Sequence, residues 1–250
     1  ASLHLEHPHN QVITSKYNET LITLTQQDKL SRQLILCFRS FDDGIAFRYE
    51  FPTQENLKDF VIMDELTEFT LQENGQAWHL PAMSKDRYEY LYQKQSLKDL
   101  ETAKNTSHTP FTIENQQSFI SIHEANLTDF ASMTLKNKGN NKLECELVPW
   151  ADGTKVKVSE TRVTPWRTIK IGDKAVDLIN SHLELNLNEP CKLMDTDWLQ
   201  PAKYVGIWWA MHLGKYSWGS GPKHGATNAI TKEYIDFAAE HGFKGVLVEG

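Results

Sequence analysis

The segments Lys203-Tyr-Val-Gly-Ile-Trp-Trp-Ala-Met-His212 and Gly242-Phe-Lys-Gly-Val-Leu-Val-Glu249 decide the fold of the C-terminal part of the chain. Tyr204 to Trp209 is a nearly continuous apolar run, which is typical of a parallel strand buried on both faces. The loop that follows is too rich in glycine and proline to form a regular element, because it contains Gly214, Gly219, Gly221, Pro222 and Gly225. We therefore predict a strand followed by a long polar loop.

A helix and a second strand follow this loop. Thr227 or Thr231 suits the N-cap of the helix, and Gly242 suits the left-handed residue that ends it. One helical face holds the apolar residues Ile230, Tyr234, Ile235 and Ala238. Val246 to Val248 is the second strand, so the pattern predicts the first βαβ part of a (β/α)8 TIM barrel. Two strands cannot bury both faces, and we expect the natural chain to continue beyond Gly250.

Upstream of this part the sequence predicts β-structure. Apolar residues alternate in 34–39 and again in 45–51, and Asp42-Asp43-Gly44 between them forms a turn, which predicts a hairpin with one core face. Many short strands separated by turns favour a β-sandwich. The further predicted strands are 19–25, 76–80, 119–123, 131–135, 143–148, 155–159 and 166–171.

Two short helices and a linker interrupt the predicted strands. The helices are predicted at 96–103 and 175–181, and the prolines and mixed polarity of 186–202 are typical of a linker between domains. The predicted organisation is therefore an all-β domain over 1–185, a linker over 186–202 and the start of a barrel over 203–250.

Composition excludes two classes of partner. The net charge of −7 has acids and bases interspersed, which argues against a nucleic-acid surface. No apolar stretch approaches the roughly 20 residues that cross a bilayer. The chain starts at Ala1 without a signal-peptide pattern, so we expect any export signal to have been removed or to be absent.

Cysteines and N-terminal histidines give little functional information. Cys37, Cys145 and Cys191 are far apart and odd in number, which favours small hydrophobic residues over a disulfide framework or a zinc site. The histidines at 4, 7 and 9 suit a transition metal, but a solvated N-terminal segment is the simpler interpretation.

Candidate site residues follow the two predicted barrel strands, where working residues of a βα barrel lie. Aromatic faces stack on sugar rings while acids and histidines bind hydroxyls, so this mixture suits a carbohydrate pocket. The alternative is that these residues are a rim of ordinary loop side chains. The predicted substrate-binding residues are Trp208, Trp209, His212, Trp218, Lys223, His224 and Glu249.

Glu124 ends an otherwise apolar row. It shares a strand face with Ile120 and Ile122, and a buried acid needs a cation, a metal or hydrogen-bond donors. The alternative is that Glu124 has already left the strand and faces water. A buried Glu124 would suit calcium, which binds carboxylate and carbonyl oxygens, with the other ligands supplied from elsewhere.

Longer motifs throughout the chain resemble glycoside hydrolase family 97. In the C-terminal part they are Lys203 to Gly214, Gly221-Pro-Lys-His-Gly-Ala-Thr227, Tyr234-Ile-Asp-Phe-Ala-Ala239 and Gly245-Val-Leu-Val-Glu-Gly250. In the N-terminal part they are Asp43 to Phe51, His123-Glu-Ala-Asn-Leu-Thr-Asp-Phe-Ala-Ser-Met133, Leu147 to Thr154 and Thr164-Pro-Trp-Arg-Thr168.

The resemblance implies a large N-terminal β-sandwich, or super-sandwich, packed against a catalytic (β/α)8 barrel with calcium in its active site. Glu124 matches the glutamate that the N-terminal domain of that family lends to the metal. The principal catalytic carboxylates of the family lie on later barrel strands, so we assign no general acid or base here. Glu249 is a cleft residue by position alone, with structural pairing as the alternative.

The resemblance also implies a function. The stretch from Gly206 to His212 is more similar to the α-glucosidase branch, which implies calcium-dependent hydrolysis of malto-oligosaccharides from the non-reducing end, with inversion, in the periplasm. A retaining α-galactosidase of the same family is one alternative, and a non-catalytic carbohydrate-binding fragment is another.

Overall fold

The computed structural model describes residues 2–3, 13–83, 85, 87–100, 106–159 and 162–249. The chain divides into two compact units, 1–190 and 191–250. The histidines at 4, 7 and 9 lie outside the described residues. None of the described helices is long and apolar enough to cross a membrane.

The first unit is built almost entirely from antiparallel strands. Its strands are β1 (Ser2–Leu3), β2 (Ile13–Thr14), β3 (Asn18–Thr25), β4 (Gln33–Phe41), β5 (Gly44–Phe51), β6 (Asp59–Ile62), β7 (Glu68–Thr70), β8 (Gln76–Pro81), β9 (Gln93–Ser96), β10 (Thr106–Glu114), β11 (Phe119–Ala125), β12 (Met133–Gly139), β13 (Lys142–Leu147), β14 (Val156–Ser159), β15 (Arg162–Val163) and β16 (Trp166–Gly172). The helices α1 (Ala175–Asn180) and α2 (Leu183–Leu187) follow. The mostly β character predicted for this part is confirmed.

One large sheet organises the unit. Its strands follow the order β3-β4-β5-β16-β11-β10-β12-β13-β7, with β15 on β5, β8 on β10 and β9 on β8. The buried apolar core includes Phe111, Ile122, Leu135 and Leu143. The separate β6–β14 pair adds Val156 and Val158 to the same core, so a second layer packs on the large sheet. Burial of these side chains is the main stabilising contribution.

Two predictions for this unit need correction. The helix predicted at 96–103 is a single 3-10 turn at Leu97–Asp99 that follows β9, and its last predicted residues lie outside the described ones. Strand β10 was not predicted, because it is rich in polar residues and Pro110 cannot donate to a ladder. The register against β8 shifts between His108 and Thr112, and this irregularity accommodates the proline.

The second unit contains a parallel strand pair with a helix between its strands. Its elements are β17 (Tyr204–Gly206), α3 (Trp209–His212), α4 (Asn228–Glu240) and β18 (Gly245–Leu247). Val205 pairs with Val246 in a parallel register. The Thr227 hydroxyl accepts the backbone N–H of Ile230 at 3.4 Å, and Gly242 has a φ of +72°, so the predicted start and end of the helix are confirmed.

The predicted first strand of this unit is too long. It ends at Gly206 instead of Trp209, since the backbone N–H of Ala210 donates to Ile207 and that of Met211 donates to Trp208, which turns the chain into α3. The cause is that a short apolar run does not distinguish a strand from a buried helical turn. A complete barrel needs more strands, and the barrel opening stays a prediction.

Candidate functional site

Glu124 lies in β11 directly opposite Arg167 of β16. One of its carboxylate oxygens, Oε2, accepts Nη1 of Arg167 at 2.6 Å. The other, Oε1, accepts the backbone N–H of Met133 at 3.0 Å. The alternative in which Glu124 has left the strand and faces water is therefore wrong, because the residue is within the strand and its side chain is only 7% exposed.

Arg167 is shared between two carboxylates. Its Nε and Nη2 both donate to Glu65, the first at 2.8 Å, while Nη1 donates to Glu124. The guanidinium is 0% exposed and the Glu65 side chain is 7% exposed. We name Glu65, Arg167 and Glu124 the charge cluster.

A hydroxyl relay fixes Glu65 from the other side. The Thr67 hydroxyl donates to Oε1 of Glu65 at 2.9 Å and lies 2.8 Å from the hydroxyl of Tyr49. Since the single proton of Thr67 points at Glu65, Tyr49 donates to Thr67. The carboxylate of Glu65 is thus oriented by the Thr67 hydroxyl as well as by Arg167.

Burial and charge act in opposite directions on the cluster. Burial raises the pKa of Glu124 above its ordinary value, and Arg167 and the Met133 N–H only partly oppose this. Burial alone would lower the pKa of Arg167, but its hydrogen bonds and ion pairs with the two glutamates raise it. The guanidinium therefore stays charged, while ionised Glu124 bears the cost of desolvation.

The metal-binding capacity of Glu124 is partial. Each of its oxygens accepts one donor, and a carboxylate oxygen has a second lone pair that can face a cation. Calcium takes six to eight oxygen ligands. Within the part of the chain that the structure describes, no group of three His, Cys, Asp or Glu residues is placed to hold a metal. Glu124 therefore keeps lone pairs that can face a cation, but the described residues do not complete a metal site.

Four of the predicted substrate-binding residues lie together in the second unit. The ring of His212 is 5.4 Å from that of Trp208, 6.2 Å from that of Trp209 and 5.3 Å from that of Trp218, measured between centroids. We name these four residues the aromatic cluster. Trp209 is 57% exposed and Trp218 is 42% exposed, so two rings offer surface to a ligand.

Gly206 makes room for this cluster. A Cβ at position 206 would lie 2.2 Å from Nε1 of Trp208, closer than any real contact allows. The indole Nε1 of Trp208 is buried and has no hydrogen-bond partner in the structure. A buried indole N–H usually finds an acceptor, so its lack of one here is unusual.

The other three predicted residues are less tightly connected. The backbone N–H of Ser217 donates to the carbonyl of Lys223 at 2.8 Å, and Ser217 bridges to His224, which brings the loop back near Trp218. Glu249 is exposed and lies two residues beyond the end of β18. For the described residues, no ring contact or side-chain hydrogen bond joins Lys223, His224 or Glu249 to the aromatic cluster.

Sequence reasoning missed Glu65 and Arg167 as partners of Glu124. They are separated from each other by 102 positions, and Arg167 from Glu124 by 43. The only available signal was a charged residue, Arg167, beside Trp166 in a predicted strand. Nothing in the polar stretch around Glu65 marks it as buried.

Comparison with known families identifies the chain. The family model described as "Glycosyl-hydrolase 97 N-terminal" matches residues 2–190, and that described as "Glycoside hydrolase 97" matches residues 208–250. The chain belongs to glycoside hydrolase family 97. The recognition made from the sequence motifs is thereby confirmed.

Solved structures of a family 97 enzyme are similar over the whole chain. The enzyme from Pseudoalteromonas sp. strain K8, solved in complex with acarbose, is 45% identical with a TM-score of 0.83, and the match covers 100% of this chain and 38% of that one. A variant of that enzyme was solved in complex with panose and is 45% identical with a TM-score of 0.82.

Curated relatives are more distant. A "Retaining alpha-galactosidase" from Bacteroides thetaiotaomicron is 22% identical over 245 residues, covering 85% of this chain and 36% of the relative. A "Probable retaining alpha-galactosidase" from Streptomyces bingchenggensis is 26% identical over 216 residues, covering 86% of this chain and 31% of the relative. The chain thus spans less than two fifths of the length of each of these proteins.

Proposed function

We propose that this chain is the N-terminal part of a calcium-dependent α-glucosidase that hydrolyses α-glucosidic bonds of malto-oligosaccharides from the non-reducing end, with inversion. The observation that carries the proposal is the 45% identity, over the whole chain, to an enzyme solved with acarbose and with panose. Panose is a trisaccharide of α-linked glucose, so a close relative that binds it favours a glucose-specific site.

The second unit is proposed as the opening of the catalytic barrel. Its strands β17 and β18 pair in parallel and have helix α4 between them in the sequence. The family model described as "Glycoside hydrolase 97" matches from residue 208. The exposed faces of Trp209 and Trp218 would stack on sugar rings. These roles support binding and assign no acid or base.

Glu124 is proposed as the calcium ligand that the first unit contributes. Its carboxylate is held at fixed points by Met133 and Arg167, which leaves lone pairs but little freedom to move. When bound, the metal would supply positive charge that stabilises nearby carboxylates and polarises the substrate. The acid and base of an inverting enzyme, which stand roughly 6.5–9.5 Å apart, are expected on later strands.

The second candidate is a retaining α-galactosidase, which the printed names of the two curated relatives favour. Their identities of 22% and 26% are well below the 45% of the Pseudoalteromonas enzyme, and this ranks the glucosidase first.

We also propose the periplasm as the compartment of the protein, following the family resemblance. Fractionation of source cells tests this proposal.

Activity on paired substrates separates the two candidates. The full-length enzyme that contains this chain should release nitrophenol from the α-glucoside faster than from the α-galactoside, and a chelator should abolish the release until calcium is restored. A preference for the galactoside would reject the glucosidase. Activity that persists after chelation would reject the metal requirement alone.

A further inference from the structure

The charge cluster is asymmetric in a way that matters for metal binding. Arg167 gives two of its three donor nitrogens to Glu65 and one to Glu124. A guanidinium that meets a single carboxylate prefers the two-point arrangement, which is the stronger and more directional one. Here Glu65 occupies that arrangement, and Glu124 keeps a one-point contact.

The charge cluster has more acidic than basic groups. It holds two carboxyl groups and one guanidinium, in side chains that are 0% and 7% exposed. An uncompensated buried charge is costly unless a counter-charge approaches it. Arg167 binds both oxygens of Glu65, which also accepts from Thr67, whereas Arg167 binds only one oxygen of Glu124 and the other accepts an uncharged backbone N–H.

We propose that Glu65 is a positioning residue for cation binding: by holding Arg167 in a two-point ion pair, it limits the guanidinium to one oxygen of Glu124 and leaves lone pairs of that carboxylate for a divalent cation. This inference rests on the proposed metal role of Glu124 and adds the residue that makes the role possible. Without the Glu65 carboxylate, the buried guanidinium would be able to make a two-point contact with Glu124 and compete directly with the cation.

Calorimetric titration of calcium into the chelator-treated full-length enzyme tests the proposal. Glu65→Gln removes the charge and keeps the size of the side chain. We expect calcium affinity to fall by at least about tenfold, which is the effect of losing one modest charge interaction. The matched control is Glu146→Gln, which breaks the Lys85–Glu146 ion pair of the same sheet. We expect the control to bind calcium within twofold of the parent.

The outcomes are distinguishable. A folded Glu65→Gln enzyme with unchanged calcium affinity would overturn the proposal and leave Glu65 with a structural role. A parent enzyme that binds no calcium would overturn the metal role of Glu124 and this inference with it, before any variant is compared. If Glu65→Gln does not fold, Thr67→Val decides, because it removes the hydroxyl that donates to Glu65 and accepts from Tyr49 and leaves the Glu65 carboxylate and Arg167 in place. A several-fold weaker affinity of Thr67→Val supports the proposal, and an unchanged one overturns it.

Discussion

The charge cluster of the first unit and the aromatic cluster of the second are built on opposite principles. Glu65, Arg167 and Glu124 are buried, and each forms hydrogen bonds with at least two other residues. The aromatic cluster, in contrast, presents Trp209 and Trp218 to solvent and leaves the Trp208 indole N–H without a partner. The first is set in place by its own unit, whereas the second still has exposed ring surface to offer a ligand.

This contrast predicts that the largest loss of stability comes from the charge cluster. Arg167→Met should reduce the free energy of unfolding of the first unit by about 3–5 kcal/mol, because it leaves two buried carboxylates without a counter-charge. Urea denaturation followed by circular dichroism measures the loss. The control is Lys142→Met, which breaks the exposed pair with Glu68 and should cost less than about 1 kcal/mol. Equal losses for the two variants would show that the charge cluster contributes no more to stability than the exposed ion pair does.

The second prediction concerns the backbone under the aromatic cluster. Gly206→Ala should destabilise the second unit by about 1–3 kcal/mol, as overpacking does, because the added methyl group would overlap the Trp208 indole. Near-ultraviolet circular dichroism should change as the indole is displaced. Gly219→Ala is the matched control, since a Cβ there meets nothing within 4 Å. A spectrum that is the same for both variants would contradict the close approach.

The third prediction uses pH to separate burial from ion pairing at Glu124. The pKa of Glu124 is raised above its ordinary value of 4.5, so the folded state binds that proton more tightly than the unfolded state does. Its contribution to stability is therefore full below pH 4.5 and is lost as pH rises through the raised value. With chelator present, Glu124→Gln should gain stability relative to the parent as the pH rises from 4.5 through the raised pKa of Glu124. A relative loss over that interval would mean that the Arg167 pair outweighs burial.

The smallest expected effect on stability is at the exposed end of the aromatic cluster. Trp209→Ala should change the free energy of unfolding by less than about 0.5 kcal/mol, because the ring is 57% exposed. In the full-length enzyme it should nevertheless raise KM for maltotriose. Trp198→Ala removes another exposed tryptophan and should leave KM unchanged. Equal KM values for the two variants would remove Trp209 from the substrate site.

Local pattern predicted much of the fold and one of the three residues of the charge cluster. Alternation placed the β4–β5 hairpin, and the row of Ile120, Ile122 and Glu124 correctly indicated a buried acid. Strand β10 was missed because its residues are polar and include Pro110, and its place in the sheet is set by neighbours on both sides. Glu65 and Arg167 were missed because they lie far from Glu124 in the sequence and meet it only in the folded chain.

The aromatic cluster shows the same limit at shorter range. Trp208 and Trp209 were recognised as site candidates from their place after a strand, but the strand ends earlier and α3 carries Trp209 and His212. It is this helical turn, which the apolar run does not reveal, that brings the two tryptophans around one histidine. The residue types were therefore predictable and their arrangement was not.

Early-time proton NMR of maltotriose hydrolysis by the full-length enzyme tests the central proposal most directly. The α-glucosidase proposal predicts that glucose appears first as the β-anomer, that the reaction stops with chelator, and that calcium restores it. Release of α-glucose would contradict inversion, and no release by an enzyme that cleaves α-galactosides would contradict the glucosidase assignment itself.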